Sequence, residues 1–232
     1  MLNDAGYTIL TLKLRPGHPM LAYQKEFIRY AIACGVLKFG EFQLKSGRIS
    51  PYFFNTGLFN TGARLARLGE FYAQALVQSQ QTVDVLYGPA YKGIPLVSAT
   101  AIAYAKLTGT DIPFAFNRKE AKDHGEGGHI VGTPLYGKVL ILDDVITAGT
   151  SVRESVDIIR AAKATPVGVL IALDRQEQGQ NQTSATQEVR QNFNIQVSAI
   201  ITLDTIVEFL SQQPTNQNQL AKIKEYQRLY GI

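Results

Sequence analysis

Apolar residues recur with a helical period in the first third of the chain, interrupted once by a strand-like stretch. From Met20, MLAYQKEFIRYAIACG has helical spacing and stops at a glycine. FQLKSGRISPYFF predicts two short strands around a turn at residues 46–48. Residues 62–80 predict an amphipathic helix. Its apolar side carries Leu65, Leu68, Phe71, Tyr72 and Leu76.

Further along, short continuous apolar runs alternate with helical segments. The predicted strands are VDVLYG, IPFAFN, KVLILD, PVGVLIALD and VSAIITL, with helices at IPLVSATAIAYAKLTG and TSVRESVDIIRAAKA and a long polar loop after IPFAFN. Such alternation is typical of an α/β protein whose mostly parallel sheet is covered by helices on both faces. Ligands bind such sheets at the carboxyl ends of the strands.

The last part of the chain is polar and then helical. The stretch RQEQGQNQTSATQEVRQN predicts an exposed connection that leads into a short helix. Two helices separated at Pro214 are expected to follow, with Thr205 and Glu208 as a capping box for the first.

Composition narrows the class of protein only modestly. The net charge of +4 suits nucleic acid and a small phosphorylated substrate equally well. The single cysteine excludes an internal disulfide. No apolar run approaches the roughly 18 residues of a membrane span, and the N-terminus does not resemble a signal peptide. The cytoplasm is therefore the expected location.

The stretch KVLILDDVITAGTS combines two acids with a glycine-containing turn after a buried strand. A turn at a helix N-terminus exposes backbone N–H groups that favour an anion. Asp143 and Asp144 would repel a phosphate, so they are expected to contact ribose hydroxyls or a magnesium ion carried by a diphosphate. The alternative is that one aspartate caps the helix and the other is solvated.

Other stretches supply cations and aromatic rings, each with a structural alternative. Lys92 in GPAYKGIP could reach a diphosphate or be a surface lysine. The segment 118–128 is rich in lysine and glycine, but from residue 118 to 126 three basic residues face three acids, as in a solvated loop. Its length and its position after a strand favour a lid. Arg175 could grip a planar base or form a surface ion pair.

Five stretches together resemble the orotate phosphoribosyltransferases, which belong to the type I phosphoribosyltransferases. They are LKFGEFQLKSGRISPYFFN, GPAYKGIPL, FNRKEAKDHGEGG, VLILDDVITAGTS and LDRQE. The resemblance implies the type I phosphoribosyltransferase fold in one domain, residues 20–232, with a small N-terminal hood mainly from 20–60 that carries the hairpin. Residues 1–19 have no counterpart in the family pattern, and their structure stays open.

The resemblance implies transfer of the 5-phosphoribosyl group from 5-phosphoribosyl-1-diphosphate (PRPP) to orotate, with Mg²⁺. The products would be orotidine 5′-phosphate and diphosphate, in the synthesis of UMP. Because the anomeric carbon should pass through an oxocarbenium-like transition state, cations are needed around the leaving diphosphate.

Residue roles are likewise implied by the resemblance. The residues expected to bind PRPP are Lys45, Lys92, Arg118, Lys119, Lys122, His124, Asp143, Asp144, Val145, Ile146, Thr147, Ala148, Gly149, Thr150 and Ser151. Those expected to bind orotate are Phe53, Phe54, Thr147 and Arg175. The expected catalytic residues are Lys122, Lys92, Asp143 and Asp144. Mg²⁺ would be held mainly by PRPP and water, near the two aspartates.

The resemblance also implies a homodimer. Lys119, Lys122 and His124 of the lid would act in the partner's site, and Tyr91 would lie in the loop near the diphosphate, next to a non-proline cis peptide at Ala90–Tyr91. Of the two phenylalanines, alternation along a strand would let only one ring face the base. Two rival functions remain, transfer to a purine base and a non-enzymatic RNA-binding regulator.

Overall fold

Helices and strands alternate through most of the chain in the computed structural model, which describes residues 19–44, 46–122, 128–147, 149–179 and 182–232. The helices in these ranges are α1 (Ala22–Ala33), α2 (Gly62–Ser79), α3 (Gly93–Thr108), α4 (Thr150–Ala161), α5 (Ala185–Phe193), α6 (Leu203–Ser211) and α7 (Gln217–Tyr230). The strands are β1 (Leu37–Gln43), β2 (Ile49–Phe54), β3 (Val85–Gly88), β4 (Phe114–Lys122), β5 (Gly128–Gly132), β6 (Lys138–Leu142), β7 (Thr165–Asp174) and β8 (Gln196–Thr202). Within the described ranges, no helix is both long and apolar enough to cross a membrane.

Six strands form the central sheet, in the order β5-β4-β3-β6-β7-β8. β3, β4, β6, β7 and β8 run parallel, and β5 pairs antiparallel to β4 at the edge. The predicted α/β architecture with a mostly parallel sheet is confirmed. Because β6 and β7 are neighbours, the segments that follow them, at Asp143 and Arg175, leave the same edge of the sheet.

Apolar side chains cover both faces of this sheet, as strict alternation along each strand requires. Leu86 and Leu140 face a core formed with α1, α2, α3, α6 and α7. Val85, Val139 and Ile141 face a second core formed with α4 and α5. The continuous apolar runs of the sequence are thus explained by burial on two sides.

The hairpin predicted within the N-terminal hood is formed by the antiparallel strands β1 and β2. Its turn contains Gly47 at φ +83°, a conformation that favours glycine. Phe54 packs edge-on against Phe27 of α1, with ring centroids 6.4 Å apart. On the side facing the C-terminal part of the chain, Arg48 Nη1 donates to the carbonyl of Gln178 at 2.8 Å. The hairpin expected around residues 46–48 is therefore present and tied to the body of the protein.

Two local expectations were wrong. The segment after Asn117 was expected to be loop from its start, but β4 continues to Lys122 and pairs with β5, so backbone hydrogen bonds order a polar stretch at the sheet edge. The capping box of α6 was expected at Thr205 and Glu208, but it consists of Thr202 and Thr205. The helix begins at Leu203, three positions before the start that the expected capping box implies. Glu208 instead accepts a hydrogen bond from the backbone N–H of Met20 at 3.0 Å.

Helices α2 and α3 approach each other closely at Gly69. A Cβ atom built on Gly69 would lie 2.5 Å from the carbonyl oxygen of Ala99 and 2.6 Å from its carbonyl carbon. Those are backbone atoms of α3, which cannot rotate away as a side chain could. The glycine therefore sets how near the two helices come.

We expect Gly69→Ala to lower the free energy of unfolding by about 1–3 kcal/mol, because the added methyl must push α2 and α3 apart. Gly62→Ala is the matched control in the same helix, since a Cβ there meets nothing within 4 Å. It should be neutral or slightly stabilising, because alanine favours a helix over glycine. Urea unfolding of both variants measures the difference. Equal stabilities would contradict the close approach.

Candidate active site

Two adjacent carboxylates lie where β6 ends at the carboxyl edge of the sheet. Asp143 and Asp144 are only 8% and 9% exposed, so both are removed from most of the solvent that would stabilise their charge. Backbone hydrogen bonds keep this segment against β7: Asp143 N–H donates to Leu170 at 3.1 Å, and Ala172 N–H donates to Asp144 at 2.9 Å. The sheet therefore holds the two acids in fixed positions.

The side chain of Asp144 is compensated by a cation and a hydroxyl. Lys92 Nζ and Thr56 Oγ1 each donate to Oδ2 at 2.7 Å, and Val145 N–H donates to Oδ1 at 2.9 Å. Burial alone would raise the pKa of this carboxyl, but the hydrogen bonds from Lys92 and Thr56 and the charge of Lys92 outweigh it and lower the pKa. Asp144 is thus an anionic acceptor at neutral pH.

Asp143 has hydrogen bonds but lacks a cation among its described partners. Asp144 N–H donates to its Oδ1 at 2.8 Å, and Ser151 Oγ donates to its Oδ2 at 3.0 Å. Burial, reinforced by the charge of Asp144, raises the pKa of Asp143 to about 6. The two neighbouring acids therefore differ in charge state under mildly acidic conditions.

The turn after the acids leads into the start of α4. Gly149 precedes the helix with φ +68° and supplies no side-chain cap to it. The first N–H groups of a helix lack intrahelical partners, so this start can bind an anion. The turn is solvent-accessible: Thr147 and Thr150 are exposed, and Val145, Ile146 and Ser151 are half-buried. Because the Ser151 hydroxyl already contacts Asp143, its backbone N–H is the group left for a ligand.

A second turn, between β3 and α3, faces the acids through Lys92. The expected non-proline cis peptide at Ala90–Tyr91 is present. Gly88 and Gly93 pack together so tightly that a Cβ on Gly88 would lie 2.2 Å from the Gly93 carbonyl oxygen. Asn117, at the corresponding part of β4, accepts a hydrogen bond from Ala90 N–H at 2.8 Å. Tyr91 is 71% exposed beside Lys92.

The other predicted cations are only partly covered by the structure. Arg118 is half-buried on β4, and Lys119 lies 3.5 Å from Glu154 of α4 in an exposed ion pair. The Lys122 side chain and residues Lys45, His124 and Ala148 lie outside the described residues. For these positions the expected contacts to PRPP stay predictions.

Arg175 follows β7 and therefore emerges beside the acids, one strand away. Its guanidinium contacts Glu177, whose Oε1 lies 2.6 Å from Nη2, and it stands 4.4 Å from the ring centroid of Tyr52. The ion pair that the sequence allowed for Arg175 is thus present. It is mostly buried, because the side chains of Arg175 and Glu177 are 23% and 12% exposed. The pair is therefore sheltered from much of the solvent, unlike a fully exposed surface salt bridge.

Phe53 and Phe54 point in different directions, as alternation along β2 requires. Phe53 is 37% exposed and stacks on Phe42 with centroids 5.4 Å apart. Phe54 is partly buried against the core that contains Phe27. Of the two rings, Phe53 is the one accessible to a ligand.

Several residues that support the site were not singled out from the sequence. Thr56 reaches Asp144 from the short helix after β2, and Tyr72, assigned only to the apolar face of α2, donates its hydroxyl to the Asp143 carbonyl at 2.7 Å. Asn117 was visible as a polar end to an apolar strand, and Glu177 lies inside the quoted LDRQE stretch. Their partners are far away in sequence, so spacing could not reveal the contacts.

The donor set suits a magnesium ion that arrives with its ligand. Asp143 and Asp144 offer oxygen atoms, the ligands that Mg²⁺ prefers. Among the described residues no group of three His, Cys, Asp or Glu side chains could hold a metal ion. Two carboxylates fit an ion that takes its remaining oxygen ligands from phosphate and water.

Comparison with known proteins agrees with the geometry. Residues 57–201 match the family model described as "Phosphoribosyl transferase domain". The chain is 62% identical over 212 residues to an orotate phosphoribosyltransferase of Methylococcus capsulatus, which covers 91% of this chain and 99% of that protein. It is 59% identical to the protein of the same name from Thiobacillus denitrificans, covering 92% of this chain and 100% of that one.

A solved structure extends the similarity to three dimensions. The crystal structure of an orotate phosphoribosyltransferase of Francisella tularensis superposes with a TM-score of 0.82 at 45% identity. The match covers 89% of this chain and 100% of that one. The arrangement of sheet and helices described above is therefore shared with that enzyme.

The raised pKa of Asp143 predicts a pH-dependent stability. A proton on Asp143 stabilises the fold fully below the ordinary pKa of 3.8, and this contribution is lost as the pH rises through about 6. Between pH 5 and pH 7 the loss should be about 1 kcal/mol. Asp143→Asn should lack this contribution, as measured by urea unfolding at both pH values. The same pH dependence in variant and wild type would contradict the assignment.

Proposed function

The chain belongs to the orotate phosphoribosyltransferase family, and from that membership we propose that it transfers the 5-phosphoribosyl group of PRPP to orotate. The products are orotidine 5′-phosphate and diphosphate, a step of pyrimidine biosynthesis. The observation that best supports the proposal is the meeting of two kinds of site at one sheet edge. An acid pair beside an open helix start suits a phosphorylated sugar, and an oriented arginine one strand away suits a planar base.

The phosphoribosyl half of the site follows from charge. In the proposal, the start of α4 binds the 5′-phosphate through backbone N–H groups, and Asp143 and Asp144 accept hydrogen bonds from the ribose hydroxyls. Because Asp144 is held in the anionic form, it is a strong acceptor. When PRPP binds, the ion pair between Lys92 and Asp144 would break. Asp144 would then contact the ribose, and Lys92 would contact the diphosphate.

Bond exchange occurs at the anomeric carbon. A ring nitrogen of orotate forms the new bond as the bond to diphosphate breaks. The electron pair of the broken bond leaves with diphosphate, and the proton of the ring nitrogen is released to solvent. Negative charge therefore develops on the leaving group and positive charge on the ribose. Lys92 and Lys122 would stabilise the departing diphosphate, and Mg²⁺ bound to it would neutralise further charge. No protein nucleophile is needed.

We further propose that the enzyme works as a cytoplasmic homodimer, with Lys119, Lys122 and His124 acting in the partner's site. A groove of about 490 Å³ between α2 and α3 supports association with a second copy. Ile102 and Leu107 along it are 58% and 51% exposed, and Gln74 Oε1 is buried there with no hydrogen-bond partner among the described residues. The groove lies on α3, which also packs against β4, the strand that precedes the predicted lid.

The test of the function is the consumption of orotate, followed by its ultraviolet absorbance, with PRPP and Mg²⁺ present and each omitted in turn. We expect absorbance to fall only when both are present. If PRPP binds but orotate is unchanged, the sugar site stands and the base is misassigned. Purine bases and then RNA would be tested next, since they are the two rival ligands.

The shared site predicts complementation between two defective variants. Lys122→Ala should lower turnover far more than PRPP affinity, because its contact strengthens as charge develops on diphosphate. Asp144→Asn should lack the ribose contact. After mixing and exchange of subunits, half of the dimers are hybrids with one intact site, so about a quarter of wild-type activity should return.

The control for Lys122→Ala is Lys224→Ala, which removes an exposed lysine of α7 and should leave turnover unchanged. Hybrid formation is verified with two affinity tags. Verified hybrids without recovered activity would mean that each lid serves its own site.

A further inference from the structure

Arg175 contacts three other side chains, none of which has a role in the proposed transfer reaction. They are Ser50, Tyr52 and Glu177. Its Nε donates to Glu177 Oε1 at 2.9 Å, and its Nη2 lies 2.6 Å from the same oxygen. Nη2 also donates to Ser50 Oγ at 3.3 Å. The ring of Tyr52 covers one face of the guanidinium at 4.4 Å from its centroid. One edge and one face of the arginine are therefore occupied by protein.

The partners of Arg175 also contact one another. Tyr52 donates its hydroxyl to Glu177 Oε1 at 3.0 Å, and Ser50 Oγ donates to the Tyr52 carbonyl at 2.7 Å. Ser50 and Tyr52 are fully buried. Burial first, and then the charge of Glu177, raise the pKa of the Tyr52 hydroxyl well above its ordinary value, despite the opposing charge of Arg175, so it remains a donor. Tyr226 also interacts electrostatically with Arg175 and Glu177, and its buried hydroxyl has no hydrogen-bond partner among the described residues.

One nitrogen of the guanidinium is left for a ligand. Nη1 donates no hydrogen bond among the residues that the structure describes, although the nearby Tyr226 hydroxyl interacts electrostatically with Arg175. Because the guanidinium is planar and rigid, fixing Nε and Nη2 also fixes the direction of the two Nη1 N–H bonds. Glu177 moreover neutralises the charge of Arg175. A ligand is therefore bound by N–H groups of fixed direction more than by a net positive charge.

We propose that Glu177 and Tyr52 are positioning residues that aim Nη1 of Arg175 at an acceptor oxygen of the planar base. This inference rests on the function proposed above and refines its base site. Selection then depends on hydrogen-bond direction, because an acceptor that lies out of the guanidinium plane is poorly aligned with an Nη1 N–H bond. Neither residue touches the reacting atoms.

The network also links the base site to the hood. Ser50 and Tyr52 belong to β2, the strand whose next residue, Phe53, presents its accessible ring. Arg175 and Glu177 belong to the segment after β7. A shift of the hairpin therefore moves the aromatic ring and the arginine together. The base site is built across two segments about 125 positions apart in sequence, the separation of Ser50 and Arg175.

The first test is steady-state kinetics with orotate and PRPP varied separately. Glu177→Gln keeps an acceptor oxygen but loses the charge, and should raise the KM for orotate about tenfold. Tyr52→Phe loses one hydrogen bond to Glu177 and should raise it about fivefold. The KM for PRPP should stay within about twofold in both, because the sugar site is held by other elements.

Matched controls separate positioning from general damage. Glu225→Gln breaks the exposed ion pair with Arg228 by the same substitution, and Tyr136→Phe removes a hydroxyl from an exposed tyrosine. Both should leave each KM unchanged. Three outcomes would overturn the proposal: an unchanged orotate KM in both test variants, a parallel rise of both KM values with a fall in Tm, or a lower orotate KM in Glu177→Gln. The last would mean that charge, rather than direction, governs binding.

A second measurement does not depend on orotate turnover. Nuclear magnetic resonance of the arginine side chains should give resolved Nη–H signals for Arg175 in the wild type, identified by their loss in Arg175→Lys. These signals should average in Glu177→Gln, where the guanidinium can rotate. Averaged signals in the wild type would overturn the positioning role. Resolved signals in a wild type that consumes no orotate would retain the role and refute the proposed function.

Discussion

Two carboxylates stand side by side at the carboxyl end of β6, and keeping them there governs much of the surrounding structure. Asp144 is tolerated because Lys92 and Thr56 converge on one of its oxygens from two separate elements. Asp143 has only neutral donors and retains a raised pKa. Removing buried carboxylates from water is costly, so each contact around them has an energetic reason as well as a possible functional one.

The contacts around the acids also explain why the turns nearby have their sequences. The loop that carries Lys92 must pass close to the start of α3, and Gly88 and Gly93 have no side chains to prevent it. The loop on the other side of the acids must open a helix without a side-chain cap, and Gly149 supplies the left-handed conformation for this. Ser151 then ties the start of α4 back to Asp143. The glycines and hydroxyls of the two motifs thus answer geometric needs set by the acids.

The base side of the site follows a different rule. The positive charge of Arg175 is neutralised by Glu177, and the ring of Tyr52 covers one face of its guanidinium. These contacts join the hairpin to the segment after β7. Such support matters, because an isolated two-stranded hairpin is marginally stable in water. The same contacts that stabilise the hood therefore shape the site that the family resemblance assigns to orotate.

Local pattern was a good guide wherever the structure depends on neighbouring residues. The pattern of apolar residues correctly predicted the helix at residues 62–80 and the strands KVLILD and PVGVLIALD. A helix buried along one side, and a strand buried on both faces, each require a characteristic order of apolar residues. The extension of β4 was missed because it depends on hydrogen bonds to β5. A polar stretch has no pattern of apolar residues from which this pairing could be predicted. The start of α6 was missed because two threonines lie three positions apart and either could cap the helix.

For the site, the sequence by itself determined which chemical groups are present and, through the resemblance, which of them belong to one family of catalysts. Asp143, Asp144, Lys92 and Arg175 were all identified in this way. Only the tertiary structure decided their partners: Thr56 and Lys92 on Asp144, Tyr72 on the Asp143 carbonyl, and Glu177 and Tyr52 on Arg175. The physical reason is that a hydrogen bond depends on distance and direction in space. Chain spacing controls these within a turn or a strand, whereas between segments they are set by the packing of the sheet and its helices.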